Sequence, residues 1–390
     1  MQSSDTLSPT EPPQSSQDHD SSRRDRSSTS SKHPRRRFLL GGAAVLGLAA
    51  TGTSAWALNR FVIDHTEITE IAHQLADRYE GDNVSLSIPS TRVDAFTVDL
   101  ARELSRGGRR SGLTIAPEAG SERLRAVINK NVSEDDLMAT VSAAFGQGWR
   151  SVKMYFMCGL PTETDEDMLA IARLAHRVVE TGRRITGRRD IACTVSIGGF
   201  VPKAHTPFQW APQADPELVD HRIGVLREAV RADRGFHRAI TVRWSDGEPG
   251  QIEGLLARGD RRVGRVIEAV WLDGGRFDGW REHYDHQRWV DCAAIELEPL
   301  GVVLDWYTTR ERDELEVLPW DHLDAGLDRG WLWQEYLAGR AARQLADCRW
   351  DGCEDCGVCP RLGVDIEMGP SGTTLLPLEP PPPRRAGADA

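Results

Sequence analysis

The chain has 390 residues, which at roughly 100–200 residues per domain leaves room for two or three domains and a sizeable core. Apolar residues make up 39% and charged residues 27%, with 36 Gly and 21 Pro, a globular average that excludes a bundle of membrane spans, a fibrous repeat or a disulfide miniprotein. Residues 1–63 carry 8 Lys and Arg against 5 Asp and Glu, whereas residues 64–390 carry 40 against 54; so acidic a body lacks the basic excess that neutralises phosphates, and no nucleic-acid partner is expected.

Residues 1–34 hold 14 Ser and Thr with scattered Pro, too little apolar surface to offset the entropy of ordering, and read as disordered. Arg35, Arg36 and Arg37 then abut an uncharged stretch from Phe38 to Leu58 that contains Ala55-Trp56-Ala57. Residues 35–63 therefore read as a twin-arginine-like leader, with an A-x-A cleavage site, or as an uncleaved membrane anchor, since 21 residues span roughly 31 Å as a helix. A buried Ala/Gly/Leu helix is the alternative.

From Asp64 the pattern alternates. Ile68, Ile71, Ala72, Leu75, Ala76 and Tyr79 keep a helical period, VSLSI at 84–88 is strand-like, and Phe96, Leu100 and Leu104 stripe a helix over 94–106. GLTIA at 112–116, SVKMYFM at 151–157, IACTVSIG at 191–198 and AITVRW at 239–244 read as further strands. Between them, Ser133, Thr164 and Asp215 open helices. Strand and helix in alternation predict an α/β fold with a parallel sheet, as an open sheet or partial barrel, over 64–244. Residues 245–345 read as a mainly helical, Trp-rich region in which Trp306, Trp320, Trp331 and Trp333 are expected to pack helices. Residues 377–390, with Pro380 to Pro383, read as a disordered tail.

The densest chemical signal lies in the 346–376 segment, where Cys348, Cys353, Cys356 and Cys359 give C-x4-C-x2-C-x2-C, with Gly352 and Gly357 between them. Four thiolates so spaced can converge on one metal centre. The last three resemble the tight run of bacterial ferredoxins and favour a [4Fe–4S] cluster; zinc is the alternative, and disulfides or free thiols a third. Cys158, Cys193 and Cys292 stand alone in apolar surroundings and are expected to be small buried residues.

A second constellation follows the strands, because ligands collect at the carboxyl edge of a parallel sheet. Ser90 and Arg92 follow 84–88, Glu118 to Ser121 follow 112–116, Gly159 to Glu163 follow 151–157, and Lys203 to Pro207 follow the next strand. Gly120 and Gly159 allow close approach to the backbone, while Glu118 and Arg92 suit an amine and a carboxylate.

SLSIPSTRVDAF, RRSGLTIAPEAGSERLRAVINK, VKMYFMCGLPTETDED, CTVSIGGFVPKAHTPFQW and CRWDGCEDCGVCP together resemble the radical S-adenosylmethionine (SAM) proteins that carry an N-terminal cobalamin-binding-like domain. The resemblance runs from Asp64 to Leu376. It implies a partial (β/α) barrel in which a [4Fe–4S] cluster, held by C-x3-C-x2-C, reduces SAM to methionine and a 5′-deoxyadenosyl radical. It also implies that Ser90, Arg92, Glu118, Ser121, Gly159 and Glu163 lie in loops that contact SAM. No C-x3-C-x2-C occurs in this sequence, so the chain reads as a truncated form in which the 1–63 leader stands in place of the first barrel strands. A complementing radical SAM half or an electron donor is then an expected partner, as is a membrane through residues 38–58. Location is expected to be membrane-anchored or exported with a working leader, and cytoplasmic for the family domain alone.

A reporter fused after Arg60 should be exported, and Arg35→Lys with Arg36→Lys should abolish export; a reporter retained in the cytosol either way removes the role given to this segment.

Overall fold

The computed structural model describes residues 68–79, 86, 98–106, 113–348 and 352–364. The leader, Ser90, Arg92 and the tail lie outside the described residues. So does the expected strand 84–88 apart from Leu86, which packs against the main core.

Two short helices, α1 (Ile68–Arg78) and α2 (Val98–Ser105), precede β1 (Leu113–Glu118), α3 (Glu122–Val127) and α4 (Glu134–Gly146). Then come β2 (Ser151–Cys158), α5 (Asp165–Thr186), β3 (Ala192–Gly199), a 3-10 turn (Pro207–Trp210), α6 (Pro216–Ala232) and β4 (Ile240–Trp244). The strands form one sheet in the order β1-β2-β3-β4, every neighbouring pair parallel. Since parallel neighbours need a crossover, each strand is followed by helix, and the unit is a partial (β/α) barrel.

Helix starts follow the sequence signals. Ser133 and Asp136 close a capping box at α4, Thr164 and Asp167 another at α5, and the Asp215 carboxylate accepts the Leu218 N–H at 2.7 Å ahead of Pro216 in α6. One face of the sheet, with Ile115, Val152, Met154, Phe156, Val195 and Ile197, is sealed by Val141, Phe145, Ile171, Leu174, Val178 and Leu226 of the helices. Cys158, Cys193 and Cys292 are buried, as expected.

The region after β4 is mainly helical: α7 (Gly247–Arg258), α8 (Val263–Leu272), α9 (His286–Leu297), α10 (Leu304–Thr308), α11 (Arg329–Arg340) and α12 (Val358–Leu362). The stretch IEGLLARGDRRVGRVIEAVW is two helices, split where the Asp260 side chain accepts the Arg262 N–H at 2.9 Å. In WREHYDHQRW the helix begins only at His286, because the Asp285 carboxylate caps it by accepting the Arg288 N–H. Trp320 is buried, and partly buried Trp331 and Trp333 pack with Trp210 and Tyr336 into a separate cluster. Among the described residues no helix is long and apolar enough to cross a membrane.

Gly120 positions the corner after β1. A Cβ there would stand 2.5 Å from the Ile171 backbone N and 2.6 Å from the Asp167 carbonyl O, both in α5. Gly120→Ala should therefore lower stability by about 1–3 kcal/mol, the usual cost of overpacking a rigid contact, read as a reduced midpoint in urea; an unchanged midpoint would show that α5 can move aside.

Candidate functional site

The βα corners at the carboxyl edge are tied to one another. Ser121 accepts the Leu124 N–H, capping α3, and its hydroxyl donates to Asp167 Oδ1 at 2.5 Å. Arg123 donates to Asp167 Oδ2 at 2.5 Å and to the Thr162 carbonyl at 2.9 Å. Hydrogen bonds from Ser121, Thr164 and Arg123 hold the Asp167 carboxyl below its ordinary range despite burial. The loop after β1 is thus fastened to the loop after β2.

Inside the second corner lies a buried ion pair. Gly159, at φ +90°, donates its N–H to Glu163 Oε2 at 2.7 Å. Arg222 of α6 donates Nη1 to the same oxygen at 2.7 Å and Nη2 to the Glu163 carbonyl at 2.6 Å. Burial pushes the Glu163 carboxyl up to about 7 against the pull of Gly159 and Arg222. It also pushes the neighbouring Cys158 thiol up.

Of the residues singled out in the sequence, Ser121, Gly159 and Glu163 are therefore brought together by bonds within the protein. Glu118 differs: it ends β1 at φ +68°, stays partly exposed, and stands 3.7 Å from Lys130 Nζ. Burial raises its carboxyl while Lys130 lowers it.

The second face of the sheet carries residues that the sequence reading passed over. Register aligns Thr114, Lys153, Thr194 and Thr241 in one row across the four strands, and Tyr155, Ser196 and Arg243 in the next. All are part-exposed or exposed, and Lys153 Nζ donates to the Tyr155 hydroxyl at 2.6 Å. Parallel sheets ordinarily bury both faces in apolar contacts, so a polar, open face marks a surface available to ligand. Its signal was the alternation within SVKMYFMC and ACTVSIGG.

The four late cysteines line one cavity of about 340 Å³, together with Lys130 and Trp331. The segment is docked at both ends. Leu345 donates its N–H to Asn129 Oδ1 at 2.9 Å, and Asp328 donates its N–H to the Cys356 carbonyl at 2.8 Å. Gly352 and Gly357 take φ of +111° and +91°, turns in the left-handed region that favours glycine. Burial raises the Cys348 thiol, as do Asp347 and the other three cysteines. Among the described residues no three His, Cys, Asp or Glu side chains are drawn tightly enough together to form a metal site. Lys130 joins the two places, since it lines the cysteine cavity and pairs with Glu118 at the sheet edge.

Residues 60–175, from ahead of α1 into α5, match the family model of the Radical SAM superfamily. The chain carries a radical SAM domain. Iron–sulfur and SAM binding are general properties of that superfamily. The chain is also similar to an uncharacterized protein of Methanocaldococcus jannaschii, 32% identical over 205 residues that cover 53% of this chain and 41% of the relative. The match thus spans about two fifths of the length of that relative.

Glu163→Leu should cost about 3–5 kcal/mol, because it leaves the Gly159 N–H and the buried Arg222 guanidinium without the oxygen to which both donate. The sign of the pH dependence follows from the raised carboxyl. The folded state holds this proton up to about 7 and the unfolded state only to its ordinary 4.5, so this group's contribution to stability declines as pH rises through that window. Urea melts from pH 4 to 8 should show this decline in the wild type and not in Glu163→Gln; an identical slope in both would assign the window to other groups.

Proposed function

We propose that this chain is a radical SAM protein of the type with a cobalamin-binding-like N-terminal domain, and that its four C-terminal cysteines hold a [4Fe–4S] cluster. The observation that carries this reading is the gathering of Cys348, Cys353, Cys356 and Cys359 around one cavity, beside an ammonium shared with the sheet edge. The donor set suits the group: thiolates are the ordinary protein ligands of such clusters, and the two left-handed glycines let the short segment wrap. When bound, a cluster of this kind supplies one-electron transfer. Lys130 would offset part of its negative charge, and Trp331 lines the same cavity.

In this reading the polar sheet face and the corners at Glu118 and Gly159 form the later-strand part of a SAM pocket. Ser121 and Glu163 act there as positioning residues. The seven cysteines of the sequence contain no C-x3-C-x2-C, so the chain's own residues do not fit the cluster that cleaves SAM in the resembled family, and no radical step is assigned to them. SAM cleavage then depends on a complementing radical SAM half or electron donor.

That missing motif also favours a second reading: a non-catalytic protein, tethered through residues 38–58 and exported or anchored by its leader, that uses the four-cysteine site for structure or electron transfer, with zinc as the alternative metal.

Anaerobic reconstitution with iron and sulfide should give about four iron atoms per chain, lost on combined Cys348→Ala, Cys353→Ala, Cys356→Ala and Cys359→Ala. With SAM and a reductant, the chain alone should yield no 5′-deoxyadenosine. Zinc without iron would overturn the cluster assignment, and SAM cleavage that survives the fourfold substitution would reveal a reactive centre elsewhere.

A further inference from the structure

Where the loop after β3 meets the helical region, two buried arginines lie together, and among the described residues neither forms an ion pair with a carboxylate. Arg258 and Arg312 are 0% and 2% exposed. Arg258 donates Nε to the Tyr307 carbonyl at 3.1 Å and Nη1 to the Ala211 carbonyl at 2.8 Å. Arg312 donates Nη2 to the carbonyls of Arg258 and Tyr307, both at 3.1 Å. Arg258 Nη2 and Arg312 Nε and Nη1 are left buried without an acceptor, as is Trp210 Nε1 beside them. Among the described residues neither guanidinium is ion-paired.

Arg312 is also part of the wall of a cavity of about 420 Å³, shared with Arg262, Trp306 and His322. That volume falls within the roughly 300–1,000 Å³ of small-molecule sites. Three carboxylates line it as well, and each already has a cation. Asp260 accepts Arg262 Nη2 at 2.6 Å and the Tyr307 hydroxyl at 3.1 Å. Glu316 takes both prongs of Arg310, at 2.6 and 2.7 Å. Asp321 accepts Arg329 Nη1 at 2.6 Å. After this pairing Arg258 and Arg312 are left without an ion pair of their own, with Glu316, already bound to Arg310, as the nearby carboxylate that acts on both. Burial pushes them down to about 9 and about 10, still above neutrality, so both remain cations at pH 7. Cations removed from water without an opposite charge are strongly disfavoured unless an anion completes the site.

We propose that this cavity is a second ligand site, separate from the sheet edge and the cysteines, which binds a small molecule through an oxyanion group, carboxylate or phosphate, with Arg312 as the recognising cation and Trp306 as an aromatic wall. Of the two arginines only Arg312 lines the cavity, and its guanidinium, with Nε and Nη1 lacking acceptors, suits such planar or tetrahedral oxygens. Arg310, with its carbon over the Trp306 ring at 4.4 Å, holds the indole in place.

Titration calorimetry on the full chain, with inorganic phosphate in one arm and succinate in the other at constant ionic strength in chloride, tests the site. Saturable binding of at least one probe is expected, and the tighter arm identifies the group. Arg312→Gln should abolish it. Should that variant fail to fold, Val317→Glu serves, because Val317 lines the cavity yet is 84% exposed; a carboxylate there should weaken binding about tenfold or more through like-charge repulsion, without moving the melting temperature. Absence of saturable binding by both probes up to about 10 mM, or a Val317→Glu variant that binds as the wild type does, would overturn the proposal.

Discussion

Parallel strands impose one geometric rule on which the rest of this structure depends: every chain reversal at the carboxyl ends falls on the same edge of the sheet. Loops distant in sequence are thereby crowded together, and their backbone polar groups need partners. The chain meets this need with charged side chains drawn from neighbouring βα units. Asp167 of α5 receives Ser121 and Arg123 from the unit before it, and Glu163 receives Arg222 from the unit after it. Each corner is braced by the next, so the positions of Glu118 and Gly159 are set by three successive units.

Buried arginines perform the same task away from the edge. Arg125, 1% exposed, donates to the carbonyls of Val132, Ala119 and Gly120 and so closes the turn after α3. Arg258 and Arg312 close the junction after β3 in like manner. The difference lies in what remains. Arg125 has Glu122 at 3.8 Å, whereas among the described residues the pair at the junction hydrogen bonds only to backbone carbonyls, with Glu316 acting on it from a distance. A guanidinium can serve as a backbone clamp in either setting, but only the second leaves net charge for a ligand to answer.

The α/β architecture was legible because its signals are local. Ser133, Thr164 and Asp215 begin helices by accepting backbone N–H groups within one turn, and the strands are apolar on the helix-facing side at every second residue. The site was legible only in part. Gly159 and Glu163 stand out as loop residues, yet nothing in GLPTE reveals that its carboxylate turns inward to Arg222, 59 positions later. Lys153, Tyr155, Ser196 and Arg243 were hidden for the opposite reason: inside strand-like runs they read as sheet, and their common face exists only once the register is set. Arg312 carried no motif, since its isolation depends on where the acids around it found their own partners.

The cysteine segment and the turn after α3 also bear on each other physically. Leu345 and Asn129 are hydrogen bonded across 216 positions, and Asn131 donates back to the Leu345 carbonyl. These bonds place the cysteine segment against the turn that follows the first strand, with Lys130 between it and Glu118. Lys130 Nζ stands 3.7 Å from Glu118 and on the wall of the cysteine cavity, so a single ammonium acts electrostatically on both places.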